Sequence, residues 1–298
     1  MKITKNELKE MINESVERQL RKTNQHNSRK RKVDERLNTG YKYFPKSKKE
    51  LKEIIRREII VHGNTCDLNI IDTSKIVDMS ELFFKSNFNG DISEWDVSHV
   101  TNMSYMFSHS NFNGNISEWN TSNVTNMGAM FSNSKFNGNI SNWNVGKVTI
   151  MKLMFYRAIF NGDISKWNVS NVIDANTMFS ESKFNGDISN WNTSNVINMN
   201  VMFASSKFNG DISKWNVSNV KNTSMMFYNS KFNKNISKWD ISNVINMSSM
   251  FQNSKFNKNI SKWFDKLNPN CKLKNFGILN GIKINSYDDF EMFYDKVN

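Results

Sequence analysis

Eight phenylalanines, Phe88, Phe112, Phe136, Phe160, Phe184, Phe208, Phe232 and Phe256, stand 24 residues apart without one insertion. All eight tryptophans, Trp95, Trp119, Trp143, Trp167, Trp191, Trp215, Trp239 and Trp263, keep the same step. A fixed period this short narrows the architectures sharply. Twenty-four residues cannot supply the four-stranded blade of a propeller, and one unit alone cannot bury its own apolar face. What remains is a solenoid, in which each unit covers the next. An incomplete first unit, "CDLNIIDTSKIVDMSELFF", keeps the register with Leu68 where Ile92 stands and Ile71 where Trp95 stands.

Within one unit the apolar positions run Ile92-x-x-Trp95-x-Val97-x-x-Val100-x-x-Met103-x-x-Met106-Phe107, and Phe112 follows. The opening I-x-x-W-x-V has the L-x-x-L-x-L spacing of a leucine-rich repeat, which predicts a short strand with alternate side chains inward. The remainder steps by three and predicts a short helix or 3₁₀ turns on the outer side. The expected fold is therefore an α/β repeat solenoid, a right-handed leucine-rich-repeat-like coil with short parallel strands and helical caps at both ends. Tryptophan in this register points inward with Ile and Val. The methionine columns, such as Met103, Met127 and Met151, read as adaptable core filling rather than a copper site. Asn123, Asn171, Asn195, Asn219 and Asn243 sit where an amide can satisfy backbone groups of a turn.

The flanks divide the rest of the chain. Residues 1–22 open with the capping box Thr4-Lys5-Asn6-Glu7 and carry Leu8, Met11, Ile12, Val16 and Leu20 at helical spacing, one amphipathic helix. Residues 23–46 are polar and basic and read as a linker. A second capping box, Ser47 to Glu50, starts an N-terminal capping helix over 47–63. The solenoid fills 64–263, and 264–298 form a C-terminal cap. Stacked units leave half a core exposed at each end, so both ends need covering.

Taken together these residues, and the string "FNGDISEWDVSHVTNMSYMF" above all, resemble the BspA-type leucine-rich repeats. Those occur in many copies in bacterial surface proteins, mycoplasma lipoproteins and some phage and large-virus proteins. The resemblance covers roughly residues 64–263, and it implies an interaction module or adhesin with no catalytic residues. Over a short stretch the leader is similar to basic amino-terminal segments of tailed-phage proteins.

Charge locates a second candidate site. The formal net charge is +12. Residues 1–62 hold 18 Lys and Arg against 9 Asp and Glu, which leaves 22 against 19 for the rest. Arg29, Lys30, Arg31 and Lys32 form the densest cluster, suited to an acidic protein partner, to nucleic acid or to an anionic membrane surface. Together with the Leu8 to Leu20 stripe it makes a docking leader, since a tethered amphipathic helix is a typical peptide anchor. On the solenoid, the residue before each tryptophan faces outward and changes from acidic to basic along the chain. Glu94, Asp96, Glu118, Lys166, Lys214, Lys238 and Lys262 are the candidate partner-binding face. Lys152, Tyr156 and Arg157 replace small polar residues in the fourth unit and form a candidate patch.

Enzymatic chemistry is not expected. His26, His62, His99 and His109 have no Cys or His at ligand spacing, and no nucleophile stands with a base and an orienting group. No cofactor or metal is expected. Cys66 and Cys271 flank the repeats at opposite ends, so an intramolecular disulfide is not expected. No run of eighteen apolar residues exists to span a bilayer. The amino terminus lacks the pattern of a secretory signal, and a cytoplasmic or virion-associated setting is expected. The chain reads as a non-enzymatic interaction or structural protein whose leader docks it to a larger assembly, a phage particle or bacterial complex. Two other readings stay open, a nucleic-acid-binding protein using the basic leader and a surface adhesin exported by a non-standard route.

Overall fold

The computed structural model describes residues 40–297, with Glu14 alone before them. The expected leader helix and most of the linker lie outside the described residues. From residue 64 onward each 24-residue unit makes one coil, and the coils are joined in register by backbone hydrogen bonds. Parallel bridges link Asp78 to Asn102, Asn102 to Asn126, and so on by single steps through Asn222 to Asn246, ending on Lys272. A second set of bonds runs beside them, from Thr101 N–H to the Val77 carbonyl and from Thr125 N–H to the Thr101 carbonyl, each 2.9 Å.

Local structure differs from the expected strand and from the expected short helix or 3₁₀ turns. At I-x-x-W the Trp95 N–H donates to the Ile92 carbonyl at 3.2 Å, which closes a turn. Ile92, Trp95 and Val97 all point inward because the chain corners between them, with no extended strand. The V-x-x-M-x-x-M-F segment is a run of overlapping turns. Met106, Ser108 and Ser110 donate back to Met103, Tyr105 and Phe107, three residues earlier. The alternate groups Met103, Tyr105, Phe107 and His109 donate instead to the next coil, to the carbonyls of Asn126, Gly128, Met130 and Ser132. A helix would spend all of these donors within its own segment; here half of them join one coil to the next. The arrangement needs a left-handed residue at two positions per coil, such as Tyr105 at φ 57° and His109 at φ 56°.

Corners are set by side chains. Asp91, Asp96 and Asn102 each accept from the N–H two residues on, at Ser93, Ser98 and Ser104, at 2.9–3.0 Å. These are Asx turns, and they explain why Asp or Asn precedes x-Ser so often in the repeat. Asparagine also joins the layers. The Asn123 amide donates to the Ser98 carbonyl and the Asn171 amide to the Gly146 carbonyl, each at 2.7 Å. Asn89 Oδ1 accepts from the Asn113 N–H at 2.7 Å, and its equivalents repeat the bond up the stack.

The core consists of continuous ladders. Phe88 stacks on Phe112 at 6.2 Å between ring centroids, Phe107 on Phe131 at 5.7 Å and Trp95 on Trp119 at 6.5 Å, each pair nearly parallel. Every tryptophan is buried, and its indole N–H donates to the isoleucine or leucine carbonyl one coil earlier, as from Trp119 to Ile92 at 3.2 Å. The methionines Met103, Met127 and Met151 fill the same interior.

Helices flank the stack. Helix α1, Lys48–His62, is capped by Ser47, whose hydroxyl accepts from the Glu50 N–H, and buries Leu51 and Ile55 in the common core. Its buried Glu58 carboxylate accepts from the Tyr43 hydroxyl at 2.8 Å and pairs with Arg57 at 3.2 Å. Burial, together with the Glu58 contact, raises the Tyr43 phenol above its usual range. At the other end a 3₁₀ helix, Ser261–Lys266, leads to an antiparallel hairpin of β1, Gly277–Leu279, and β2, Ile282–Ile284. Helix α2, Tyr287–Val297, follows and packs against the 3₁₀ helix and β2. Phe276, Phe290 and Phe293 are buried there. Both cysteines are free, and burial pushes the Cys271 thiol up to about 11. Among the described residues no helix is long and apolar enough to cross a membrane.

Candidate functional site

In-register stacking turns every sequence position into a column. Core positions give the aromatic ladders, and polar positions give exposed columns whose members are neighbours despite lying 24 residues apart. The residue before each tryptophan is exposed in every coil: Glu94, Glu118, Asn142, Lys166, Asn190, Lys214, Lys238 and Lys262. One line of side chains thus passes from carboxylates on the coils nearer α1 to ammonium groups on the coils nearer the C-terminal cap. Asp96 belongs to a different class. It is half-buried at a corner, where burial alone would push its carboxyl up; the hydrogen bonds from Ser98, with His99 and Lys75 nearby, hold it below the usual range. Its lone pairs are committed to the turn.

The patch of the fourth unit is a link between coils. Arg157 donates from Nε to Glu181 Oε2 at 2.8 Å and from Nη2 to Glu181 Oε1 at 3.1 Å, and the Tyr156 hydroxyl meets the same carboxylate at 3.2 Å. The Arg157 guanidinium also lies 5.0 Å from the Tyr156 ring centroid. Arg157 above all, with Tyr156 beside it, holds the Glu181 carboxyl below the ordinary range against the contrary effect of burial. Tyr156 rises, by burial first and then by the Glu181 charge. Lys152 is exposed, and among the described residues no hydrogen bond or ion pair joins it to this cluster. Glu181 was not legible as a member, because its sequence neighbours Ser180 and Ser182 give no sign of a partner one coil back.

A further column escaped the sequence reading. The residue after each buried Val, or after Ile76 in the first unit, faces outward and is β-branched in nearly every coil. The column runs Val77, Thr101, Thr125, Thr149, Ile173, Ile197 and Ile245, with Lys221 the exception; Thr149 is half-buried and the others are exposed. Beside it runs the asparagine column, and between them lies an open groove of about 570 Å³ lined by Thr125, Lys147, Thr149, Asn171, Ile173, Asn195 and Ile197. Ile173 and Ile197 are 45% and 46% exposed there. The signal was present as V-T-N-M and V-I-N-M, but a β-branched residue next to a core valine reads as core. Leu8, Met11, Ile12, Val16, Leu20 and Arg29 to Lys32 lie outside the described residues.

The arrangement can present charge, amides and short aliphatic side chains in straight lines. Asp91, Asp96 and their recurring equivalents are held in Asx turns, and among the described residues no group of three or more His, Cys, Asp or Glu could hold a metal ion. Neither a curated protein nor a solved structure matches the chain. A family model matches it twice in tandem, over residues 56–161 and 157–263, well over half its length. The chain accordingly belongs to the family described as "Mycoplasma protein of unknown function, DUF285", a family of repeat proteins.

Proposed function

We propose that this is a non-enzymatic binding protein, built as a right-handed leucine-rich-repeat-like solenoid of the α/β class. Its exposed columns meet one partner while its basic leader docks it to a larger assembly, a phage particle or a bacterial complex. The setting is cytoplasmic or virion-associated. One observation carries this reading: the interior repeats nearly without change, whereas the exposed column before tryptophan changes sign from Glu94 and Glu118 to Lys214, Lys238 and Lys262. A scaffold kept for stacking alone has no need of such a gradient, and solenoids commonly bind through a continuous exposed face. The leader supports the reading through Leu8, Met11, Ile12, Val16 and Leu20, a stripe with the spacing of groove-binding helices, and through the charge of Arg29, Lys30, Arg31 and Lys32.

Affinity capture from native lysate and from purified particles tests it with three chains. The first is unchanged, the second carries Ser at the five stripe positions, and the third carries Asn at Glu94, Glu118, Lys166 and Lys214. The reading expects the second chain to lose the assembly and the third to lose a different partner. Identical captures by all three would overturn it.

A further inference from the structure

Four positions around each Phe88-type residue are solvent-facing: the residue before it, the second and third after it, and the residue before tryptophan. In the first coil these are Asn87, Gly90, Asp91 and Glu94, and in the second Asn111, Gly114, Asn115 and Glu118. The seventh coil has Lys231, Lys234, Asn235 and Lys238, and the eighth Lys255, Lys258, Asn259 and Lys262. Six exposed lysines therefore occupy two adjacent coils, in two rows one coil rise apart, about 4.8 Å for hydrogen-bonded layers. The only acidic residues between 231 and 265 are Asp240 and Asp265. Among the described residues no ion pair joins any of the six to a carboxylate. Lys234 acts on Asp211 of the coil before, whose carboxyl is held low chiefly by Ser213 and less by Lys214 and Lys234.

Two of these lysines sit where packing discourages any side chain. The equivalent position is glycine in the six preceding coils, from Gly90 to Gly210. A Cβ at Gly138 or Gly162 would lie 2.9 Å from the ring of Phe136 or Phe160. Lys234 and Lys258 nonetheless put charge at that crowded position. The corner residue that follows them is Asn235 and Asn259, where four earlier coils carry Asp91, Asp163, Asp187 and Asp211. Lysine thus stands where the earlier coils have glycine, and no carboxylate follows it.

We propose that Lys231, Lys234, Lys238, Lys255, Lys258 and Lys262 form a docking surface for the phosphate backbone of double-stranded nucleic acid. The chemistry of the array selects among anionic partners. It consists of lysine alone, without the aromatic, Met and Arg residues that enrich the centres of protein interfaces. Phe232, Trp239, Phe256 and Trp263, interleaved with the six lysines along the chain, are buried and offer no platform on which to stack the bases of a single strand. Nor does an exposed apolar side chain stand among the six to anchor them in a lipid surface. Lysine acts on phosphate as a point charge, and duplex backbone contacts require no base reading. The inference goes beyond the interaction reading above and does not rest on the leader.

The test is fluorescence anisotropy of the full chain with a labelled duplex of mixed sequence, across salt from about 50 to 200 mM, the range in which counterion release is steep. One variant carries Asn at 231, 238, 255 and 262 and Gly at 234 and 258, each residue already present at that position in another coil. A second carries Gln at all six, which preserves side-chain length. A third carries Ser at Arg29, Lys30, Arg31 and Lys32. Both array variants are expected to bind roughly tenfold or more weakly at the lowest salt. Their slope of log K against log salt should be shallower by about 5, since each phosphate that a lysine neutralises contributes about 0.9. The leader variant should keep that part of the slope. Absence of duplex binding, binding that both array variants retain in full, or binding to phosphatidylserine vesicles in place of the duplex would each overturn the proposal.

Discussion

At the scale of single residues, the repeat is defined by side chains that serve two coils at once. Each tryptophan fills the interior and donates its indole N–H to a carbonyl one coil earlier; Trp143 does so to Ile116 at 2.9 Å. That carbonyl also receives the Trp119 N–H at 3.4 Å, so the indole supplies the shorter of its two bonds. Replacing Trp143 with Phe removes this donor and leaves a gap in the ladder. The expected loss is about 1–3 kcal/mol, from the hydrogen bond and the partly collapsed cavity together. Urea unfolding at equilibrium measures it, and an unchanged midpoint would show that the indole link contributes nothing. The left-handed positions act in the opposite sense. Val201 at φ 60° and Thr177 at φ 58° are β-branched residues in a region that disfavours them. The bonds from Val201 N–H to the Ser224 carbonyl and from Thr177 N–H to the Asn200 carbonyl, 2.9 and 2.8 Å, hold them there.

At the scale of the element, the unit is a coil of corners. Its Asp and Asn residues are interchangeable as acceptors, since Asn115 and Asn139 make the same bond to the residue two on that Asp91 and Asp163 make. They differ in response to acid. Asp91, Asp163, Asp187 and Asp211 are all held below their ordinary value of 3.8, chiefly by the N–H of the following corner serine. A folded value below the unfolded one gives a contribution that is complete above the ordinary carboxylate range and is lost as pH falls through the depressed values. Changing all four to Asn should move the acid-unfolding midpoint to lower pH, as followed by circular dichroism. A midpoint that stays put would mean that these corners are not among the groups whose protonation unfolds the chain.

The element scale also shows what the sequence could reveal. The period, the inward tryptophans and the start of α1 at the Ser47 capping box were readable, because each follows from side-chain chemistry that repeats or from a local cap. The strand and the outer helix were not. Spacings of two and three describe a strand and a helix, but they describe consecutive turns equally well. The choice was made by hydrogen bonds to residues 23 positions away, as from Met103 to Asn126. For the same reason the column before tryptophan could be found by aligning the units, whereas the Arg157–Glu181 link and the Thr and Ile groove could not. Those depend on which neighbouring columns meet.

At the scale of the whole molecule, stacking converts a linear sequence into lines of like chemistry, with acidic residues toward α1 and lysines toward the C-terminal cap. Both binding proposals rest on this conversion: residues 24 apart in the chain must stand one coil rise apart in space. Small-angle X-ray scattering on a chain with four extra copies of residues 161–184 inserted after Phe184 tests it most directly. The account predicts an unchanged cross-section and a maximum dimension longer by about 19 Å, four rises of about 4.8 Å. A particle that swells in all directions, or keeps its original length, would contradict the stack on which the binding columns depend.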